Sequence, residues 1–165
     1  MTVQAGAINR EIANGAPFAA RMVGGRPAES ANRRAIGEPM LKLKRAYDPA
    51  SRTDGKRFLI ERLWPRGLSK LKLHVDAWLK EAGPSTALRK WFSHDPSKWL
   101  RFRTRYFREL DARPEAWQPI LSAARRGTVT LVYSSHDTEH NNAVALQEFL
   151  QTQMHKKTPA RRRAA

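Results

Sequence analysis

The sequence contains no cysteine, and this absence removes several kinds of functional site at once. Without thiols there is no disulfide framework, no thiolate zinc site, no iron–sulfur cluster and no cysteine nucleophile. The sequence also lacks an apolar run of the roughly 18–20 residues that a membrane-spanning helix needs. It begins without the basic segment and apolar core of an export signal. These absences indicate a protein of the cytoplasm that does not act at a membrane.

Acidic residues are scarce: 15 Asp and Glu stand against 31 Lys and Arg, which gives a formal net charge of +16. Residues 151–165 hold five basic groups and no acidic one. Such a tail associates weakly with polyanions by releasing counterions, without reading a base sequence. The tail therefore indicates nonspecific contact with nucleic acid, and the alternative is a tail that only keeps the protein in solution.

Composition divides the chain into three parts. Residues 1–40 are rich in Ala, Gly, Asn and Arg and show no sustained period, so we expect a mostly disordered extension. Residues 41–150 carry the periodic patterns and are long enough to bury the core of a single domain. Residues 151–165 are expected to form a basic disordered tail.

Alternating apolar and charged residues predict two strands near the start of the folded part. The first covers Leu41 to Ala46, and the second covers Arg57 to Trp64 and is stopped by Pro65. The run TVTLVYSS, 128–135, is typical of a strand buried on both faces. Because three strands make a small sheet, a fourth short strand is expected within a segment that otherwise looks like a loop.

Between the second and third of these strands, the spacing of apolar residues predicts that most of the chain is helical. Val75, Trp78 and Leu79 recur at i, i+3 and i+4 and predict one helix. Three further helices are predicted to start at Ser85, which serves as a cap, at Asp95-Pro96 and at Pro114. This order predicts an α/β fold: a single small three-layer domain with a short, mostly parallel sheet flanked by helices.

Ligands of parallel α/β sheets bind outside the carboxyl ends of the strands. In this sequence those ends carry polar and charged residues, which should meet at one crevice. The three strand ends are Tyr47-Asp48, Trp64-Pro65-Arg66 and Ser134-Ser135-His136-Asp137.

The residues at these ends resemble a known family. Arg45 with Tyr47-Asp48 is followed in order by DGKRFLIERLWPRGLSK, DAWLKEAGPS, LRKWFSHDP and TLVYSSHDTEHNNAVAL. These segments are similar to the bacterial YeaO-like family, domain of unknown function 488, over roughly residues 41–150. The resemblance implies an α/β fold and a small intracellular bacterial protein, and it supplies no reaction. Glu61 stands where the family has Asp, which keeps the charge and lengthens its reach.

The segment RFLIERLWPRGLSK, Arg57 to Lys70, is the predicted functional centre. Guanidinium forks bind carboxylate or phosphate through paired hydrogen bonds, so Arg66 at the strand end is expected to hold an anion. A structural role for Arg66, bridging two loops to a carboxylate, is the alternative. Alternation along the strand places Arg57 and Arg62 on opposite faces, so they do not both serve one site. The predicted ligand-binding residues are Arg45, Arg57, Arg62, Trp64, Arg66, Ser69, Lys70, His136 and Asn141.

His94 and Asp137 are the candidates for acid–base chemistry. His94 lies beside a helix start, where a neutral imidazole serves as an acceptor or base, although a hydrogen bond within a turn explains it equally. Asp137 follows the third strand, and it also suits the cap of a last helix beginning at Asp137 or Thr138. His136, Asp137 and His140 match no metal-ligand spacing, so no metal or other cofactor is expected.

Three classes of function fit these residues. The first is an enzyme or sensor for a small phosphorylated or carboxylated molecule. The second is a nucleic-acid-associated protein that uses the tail and the outer face of the predicted helix 96–110, which carries Arg101, Arg105 and Arg108. The third is a noncatalytic module for a protein partner. The aromatic residues of that helix recur at helical spacing and are expected in the core, not on a surface for stacking bases.

Overall fold

Four parallel strands form the centre of the folded part in a computed structural model that describes residues 40–156. The strands are β1 Leu41–Arg45, β2 Lys56–Leu59, β3 Ala77–Trp78 and β4 Val129–Tyr133. Their order across the sheet is β1-β4-β2-β3, and each neighbouring pair is parallel. The helices are α1 Lys70–Leu73, α2 Thr86–Phe92, α3 Trp99–Asp111, α4 Pro114–Ala124 and α5 Asn142–Lys156. The predicted α/β fold with a parallel sheet is confirmed.

The two faces of the sheet are covered unequally. In the fully buried strand β4, Leu131 and Tyr133 pack with α2, α3, α4 and α5, whereas Val132 points to a smaller core on the other face. That smaller core includes Leu73 of the four-residue α1 and is flanked by Trp64 and Trp78. The larger core therefore supplies most of the buried apolar surface. The smaller core lies close to the carboxyl end of β2.

The helix predicted from Val75, Trp78 and Leu79 is wrong, and strand β3 lies there instead. The Asp76 N–H donates to Arg57 O and the Leu79 N–H donates to Leu59 O, each at 2.8 Å, which adds this segment to the edge of β2. Val75 and Trp78 pack against the smaller core, while Leu79 packs against the larger core. Three apolar residues are too few to distinguish a helical period from a strand that alternates between two cores.

The second predicted strand is shorter than expected. Its last ladder bond runs from the Ile60 N–H to Val132 O at 3.2 Å, and residues 61–64 leave the sheet. The last helix begins at Asn142, several residues after the predicted start, and it continues to Lys156. Residues 151–156 are therefore helical, which corrects the predicted start of the tail.

The predicted extension, apart from its last residue, and the rest of the tail lie outside the described residues. Within residues 40–156, no helix is long and apolar enough to cross a membrane.

Candidate functional site

A crevice of about 610 Å³ opens at the carboxyl ends of β1, β2 and β4. Its size falls within the range of small-molecule sites. The segments after β2 and β4 line it, together with Tyr47 after β1 and residues of α2, and we call it the strand-end crevice. All three predicted strand ends therefore contribute to one cavity. Its charged and titratable lining includes Glu61, Arg62, Arg66, Arg89, His94 and Asp137.

Glu61 joins the ends of β2 and β4. Its carboxylate accepts hydrogen bonds from the Ser134 N–H at 2.8 Å and from Ser134 Oγ at 2.6 Å. Asn142 adds a second link, because its Nδ2 donates to Ile60 O at 2.9 Å. Glu61 and Asn142 were missed as site residues. Glu61 lies inside the strand predicted for Arg57 to Trp64, so its place at a strand end was not apparent from the sequence.

Arg66 stands at the tip of a tight turn. The Leu68 N–H donates to Pro65 O at 3.5 Å, and Gly67 follows Arg66 with φ of 77°. These are the features of a type II turn, which requires a positive φ at its third position. Tyr47 Oη donates to the Arg66 carbonyl at 3.3 Å and so links the turn to the end of β1. The exposed Arg66 guanidinium makes no hydrogen bond or ion pair to any residue in the range 40–156.

Arg89 and His94 line the crevice on the side of α2. The exposed Arg89 side chain also makes no hydrogen bond or ion pair within residues 40–156, and sequence reasoning missed it. His94 follows the end of α2 with φ of 56°, and its ring lies 6.1 Å from that of Phe92. A left-handed backbone at His94 turns the chain, so the ring reaches the crevice instead of continuing the surface of α2.

Asp137 does not cap the last helix, contrary to one of the two expectations for it. The cap is the buried Asn141, whose Oδ1 accepts from the Ala143 N–H at 2.9 Å and the Val144 N–H at 3.1 Å. Asn141 Nδ2 donates to Asp137 O at 2.9 Å, so both ends of this amide are already used. Asn141 lines the crevice, yet its hydrogen bonds serve the protein.

The Asp137 carboxylate closes a turn before α5. It accepts from the N–H groups of Glu139 and His140, both at 2.8 Å, and lies 3.1 Å from His140 Nδ1. The backbone hydrogen bond from His140, helped by that of Glu139 and by the His140 ring, outweighs the effect of burial and lowers the pKa of Asp137. A carboxylate with a lowered pKa stays ionised at neutral pH and is a weak proton acceptor.

Arg45 and His136 meet at the end of β1. Arg45 Nε donates to Ser135 O at 3.0 Å, and its terminal nitrogen lies 3.2 Å from His136 Nδ1. The guanidinium also lies 5.6 Å from the centre of the Tyr47 ring. His136 lines the crevice, and Arg45 orients the loop that carries it.

Two of the predicted arginines have structural partners. Arg57 is buried away from the crevice, where it pairs with Asp54 and donates to the carbonyls of Leu73 and His74. Arg62 lines the crevice, but its Nε donates to Pro84 O at 2.9 Å and its other nitrogens bind Glu81. The expectation that Arg57 and Arg62 do not serve one site agrees with these contacts.

Of the remaining predicted residues, one lines the crevice and two do not. Trp64 lines it, and its Nε1 donates to Leu68 O at 2.6 Å. Ser69 caps a helix as expected, accepting from the Lys72 N–H at 3.2 Å, but that helix has only four residues. Neither Ser69 nor Lys70 lines the crevice.

No metal site is assigned. Within residues 40–156, no three His, Asp or Glu side chains stand close enough together to hold a metal ion.

Comparisons with known proteins place these residues in a family. The family profile described as "Inactive DUF488-N3 subclade" matches residues 40–165. The uncharacterized protein YeaO of Escherichia coli is 39% identical over 112 residues, which are 68% of this chain and 97% of YeaO. An uncharacterized protein of Mycobacterium tuberculosis is 30% identical over 115 residues, which are 70% of this chain and 97% of that protein. No solved structure matches the chain.

Proposed function

This chain belongs to the YeaO-like DUF488 family, and on that premise we propose that it binds a small phosphorylated or carboxylated molecule in the strand-end crevice without catalysing a reaction. The observation that carries the proposal is the pair Arg66 and Arg89. Both guanidinium groups line one cavity, and neither has a polar partner within residues 40–156.

The carboxylates of the crevice form no ion pair with Arg66 or Arg89. Glu61 receives two hydrogen bonds from Ser134, and Asp137 receives those of Glu139 and His140. Each carboxylate is thus turned toward its own partners. An entering anion therefore meets two unpaired guanidinium forks, which bind phosphate or carboxylate more strongly than neutral donors do.

The apolar part of the lining limits the kind of molecule. Trp64, Phe92 and Phe102 contribute to the walls, and Leu63 is 57% exposed beside them. Such walls favour an anion attached to an apolar or aromatic body over a bare inorganic ion. A phosphorylated or carboxylated metabolite with a ring fits both parts of the lining.

Two observations favour binding over catalysis. Asp137 has a lowered pKa, and its oxygens are held by the turn before α5, which suits neither a proton donor nor a strong base. The description of the matching subclade as inactive agrees with this. The cysteine-free composition is compatible with a reducing compartment, and we place the proposed binder in the cytoplasm.

The proposal is tested with the double variant Arg66→Gln/Arg89→Gln. Phenyl phosphate, benzoate and inorganic phosphate are titrated into the wild-type protein by calorimetry, with sodium chloride holding the ionic strength constant. We expect saturable binding of phenyl phosphate or benzoate, and a dissociation constant at least roughly tenfold weaker in the double variant, because each charge-assisted hydrogen bond contributes about 1.5–3 kcal/mol.

The matched control is Arg101→Gln/Arg108→Gln, which removes the same charge from the outer face of α3. We expect this control to bind the probes as the wild-type protein does. Equal losses of affinity in both double variants would mean that binding depends only on the net charge of the protein. The absence of saturable binding of all three probes would contradict the anion site. Release of phosphate from phenyl phosphate by the wild-type protein would overturn the noncatalytic part of the proposal.

A further inference from the structure

The outer face of α3 carries three exposed arginines in a row. Arg101, Arg105 and Arg108 follow one another at i, i+4 and i+7, whereas Phe102, Tyr106 and Leu110 on the inner face are buried. At a rise of about 1.5 Å per residue, the three arginines span about 10 Å along the helix. We call Arg101, Arg105 and Arg108 the α3 basic face.

The charge of the α3 basic face is not neutralised. None of its three arginines makes an ion pair with a carboxylate within residues 40–156. Two acidic residues of α3 follow these arginines by about one turn. Glu109 instead accepts from the Ser85 N–H at 2.8 Å and lies 3.7 Å from Arg113, and Asp111 makes no ion pair within residues 40–156. Without carboxylate partners within residues 40–156, these three positive charges are available to an anion outside the described residues.

Trp91 of α2 holds the central arginine in place. The Arg105 guanidinium lies 4.2 Å from the centre of the Trp91 ring, a distance typical of a cation–π contact. Lys98 also approaches this ring, at 5.8 Å. The contact leaves the N–H edge of the Arg105 guanidinium unbound. It also occupies the ring, so Trp91 does not offer a free surface on which a base can stack.

The same arginines line a shallow depression of about 260 Å³, together with Leu100 and Thr104. We infer that the α3 basic face binds the phosphate backbone of a nucleic-acid duplex without reading its base sequence. Each strand of duplex DNA presents a phosphate about every 3.4 Å of the helix axis, so a stripe of about 10 Å meets more than one phosphate. This inference uses residues outside the strand-end crevice and does not depend on its ligand.

Two other polyanions fit the face less well. A membrane-surface helix inserts an apolar side into the lipid, but the apolar side of α3 is enclosed in the protein core and only Leu100 is exposed beside the arginines. Single-stranded nucleic acid is bound largely by stacking of bases on aromatic rings, and the face presents no free ring. Backbone contacts to a duplex need only the charges and their spacing.

The test uses the full chain and the triple variant Arg101→Gln/Arg105→Gln/Arg108→Gln. Its matched control is Lys56→Gln/Arg125→Gln/Arg126→Gln, which removes three exposed charges near the start of β2 and β4. Binding to a fluorescent 20-base-pair DNA of mixed sequence is measured by polarisation over a range of salt concentrations. We expect the triple variant to bind roughly tenfold or more weakly and to lower the salt slope by up to about 2.7, at about 0.9 for each lost phosphate contact. The control should stay close to the wild-type protein.

Equal slopes for the wild-type protein and the triple variant would overturn the inference, as would equal losses in the variant and its control. Preferred binding to vesicles with about 30% phosphatidylserine would assign the face to membranes instead. Melting temperatures of all three proteins report on folding. If the triple variant melts early because the Trp91 contact is lost, Arg101→Gln/Arg108→Gln replaces it, with an expected reduction of the slope by up to about 1.8.

Discussion

Asp54 shows how the fold uses a charge that it encloses almost completely. Its side chain is 5% exposed and pairs with Arg57, which is 6% exposed, and with Lys44 at 3.0 Å. The Ser51 N–H donates to it as well, at 3.0 Å. Removing one partner of a buried ion pair is costly, because the remaining charge is left without compensation.

We therefore expect Asp54→Asn to lower the free energy of unfolding by about 3 kcal/mol, measured by urea denaturation at pH 7. Asp95→Asn is the matched control, since Asp95 pairs with Lys98 at the surface, where both side chains are more than a third exposed. This control should change stability far less. Similar losses of stability in the two variants would show that the burial of Asp54 does not increase the cost of removing its charge.

The same carboxylate predicts a dependence on pH. Burial acts to raise the pKa of Asp54, but the hydrogen bonds from Lys44, Ser51 and Arg57 and the charge of Lys44 outweigh it, so the pKa lies below its ordinary 3.8. A lowered folded-state pKa contributes stability above the unfolded value and loses it as the pH falls through the folded value. The stability difference between wild type and Asp54→Asn should be constant near neutral pH and shrink below about pH 4. A difference that grows on acidification would contradict the sign of this shift.

Substitutions at two glycines with positive φ distinguish the cost of a strained backbone from the cost of steric crowding. Gly55 has φ of 64°, and a Cβ atom there would lie 2.0 Å from Thr128 O, whereas Gly67 has φ of 77° and open space around it. We expect Gly67→Ala to lower the free energy of unfolding by about 1–2 kcal/mol, the cost of the left-handed conformation alone. Gly55→Ala should lower it further, because the start of β4 must move. Equal effects in denaturant titrations would mean that the backbone around Thr128 yields without cost.

At the scale of elements, the start of α5 offers a direct test of which residue caps the helix. We expect Asn141→Ala to lower the free energy of unfolding by about 1 kcal/mol or somewhat more, because two N–H groups of the first turn lose their acceptor. Thr138→Ala, at the exposed position that the sequence suggested as an alternative start, should stay within about 0.5 kcal/mol. A larger effect at Thr138 would restore the earlier start of the helix.

Elements with long, regular patterns were predictable, and the exceptions have physical reasons. β4, α2 and α3 follow from a buried run, a serine cap and an aromatic stripe, each supported by many residues. A fourth short strand was expected within a loop, but β3 lies where a helix was predicted. Its two residues gain their stability from pairing with the edge of β2, which no local pattern reports. The start of α5 was missed because Asp137, His140 and Asn141 form a turn that uses the same polar residues as a helix cap.

The crevice was predictable in position but not in every residue. Its place follows from the rule for parallel sheets, and Arg66 followed from the turn after β2. Arg89 did not follow, since one exposed arginine on a short helix looks like any other until α2 is placed beside the strand ends. Arg57 was among the ligand-binding candidates but lies away from the crevice, in a buried ion pair with Asp54 that spacing alone does not single out.

At the scale of the whole molecule, the charge beyond the last helix makes a separate contribution to polyanion binding. Ending the chain at Lys156 removes four basic residues and leaves α5 intact. We expect the salt slope for duplex DNA to fall by up to about 3.6, with no change in melting temperature. An unchanged slope would assign the binding to residues 1–156.

The order of the strands has a consequence for how the protein is made. β4 is the last strand in the sequence, yet it stands between β1 and β2 and hydrogen-bonds to both. During synthesis, β1 has no partner strand and β2 has only the two-residue β3 until residues 129–133 have left the ribosome. Pairing over such separations in sequence is slow, and the apolar strands remain open to other chains in the meantime. The position of β4 thus leaves the nascent protein without the central pairings of its sheet until late in synthesis.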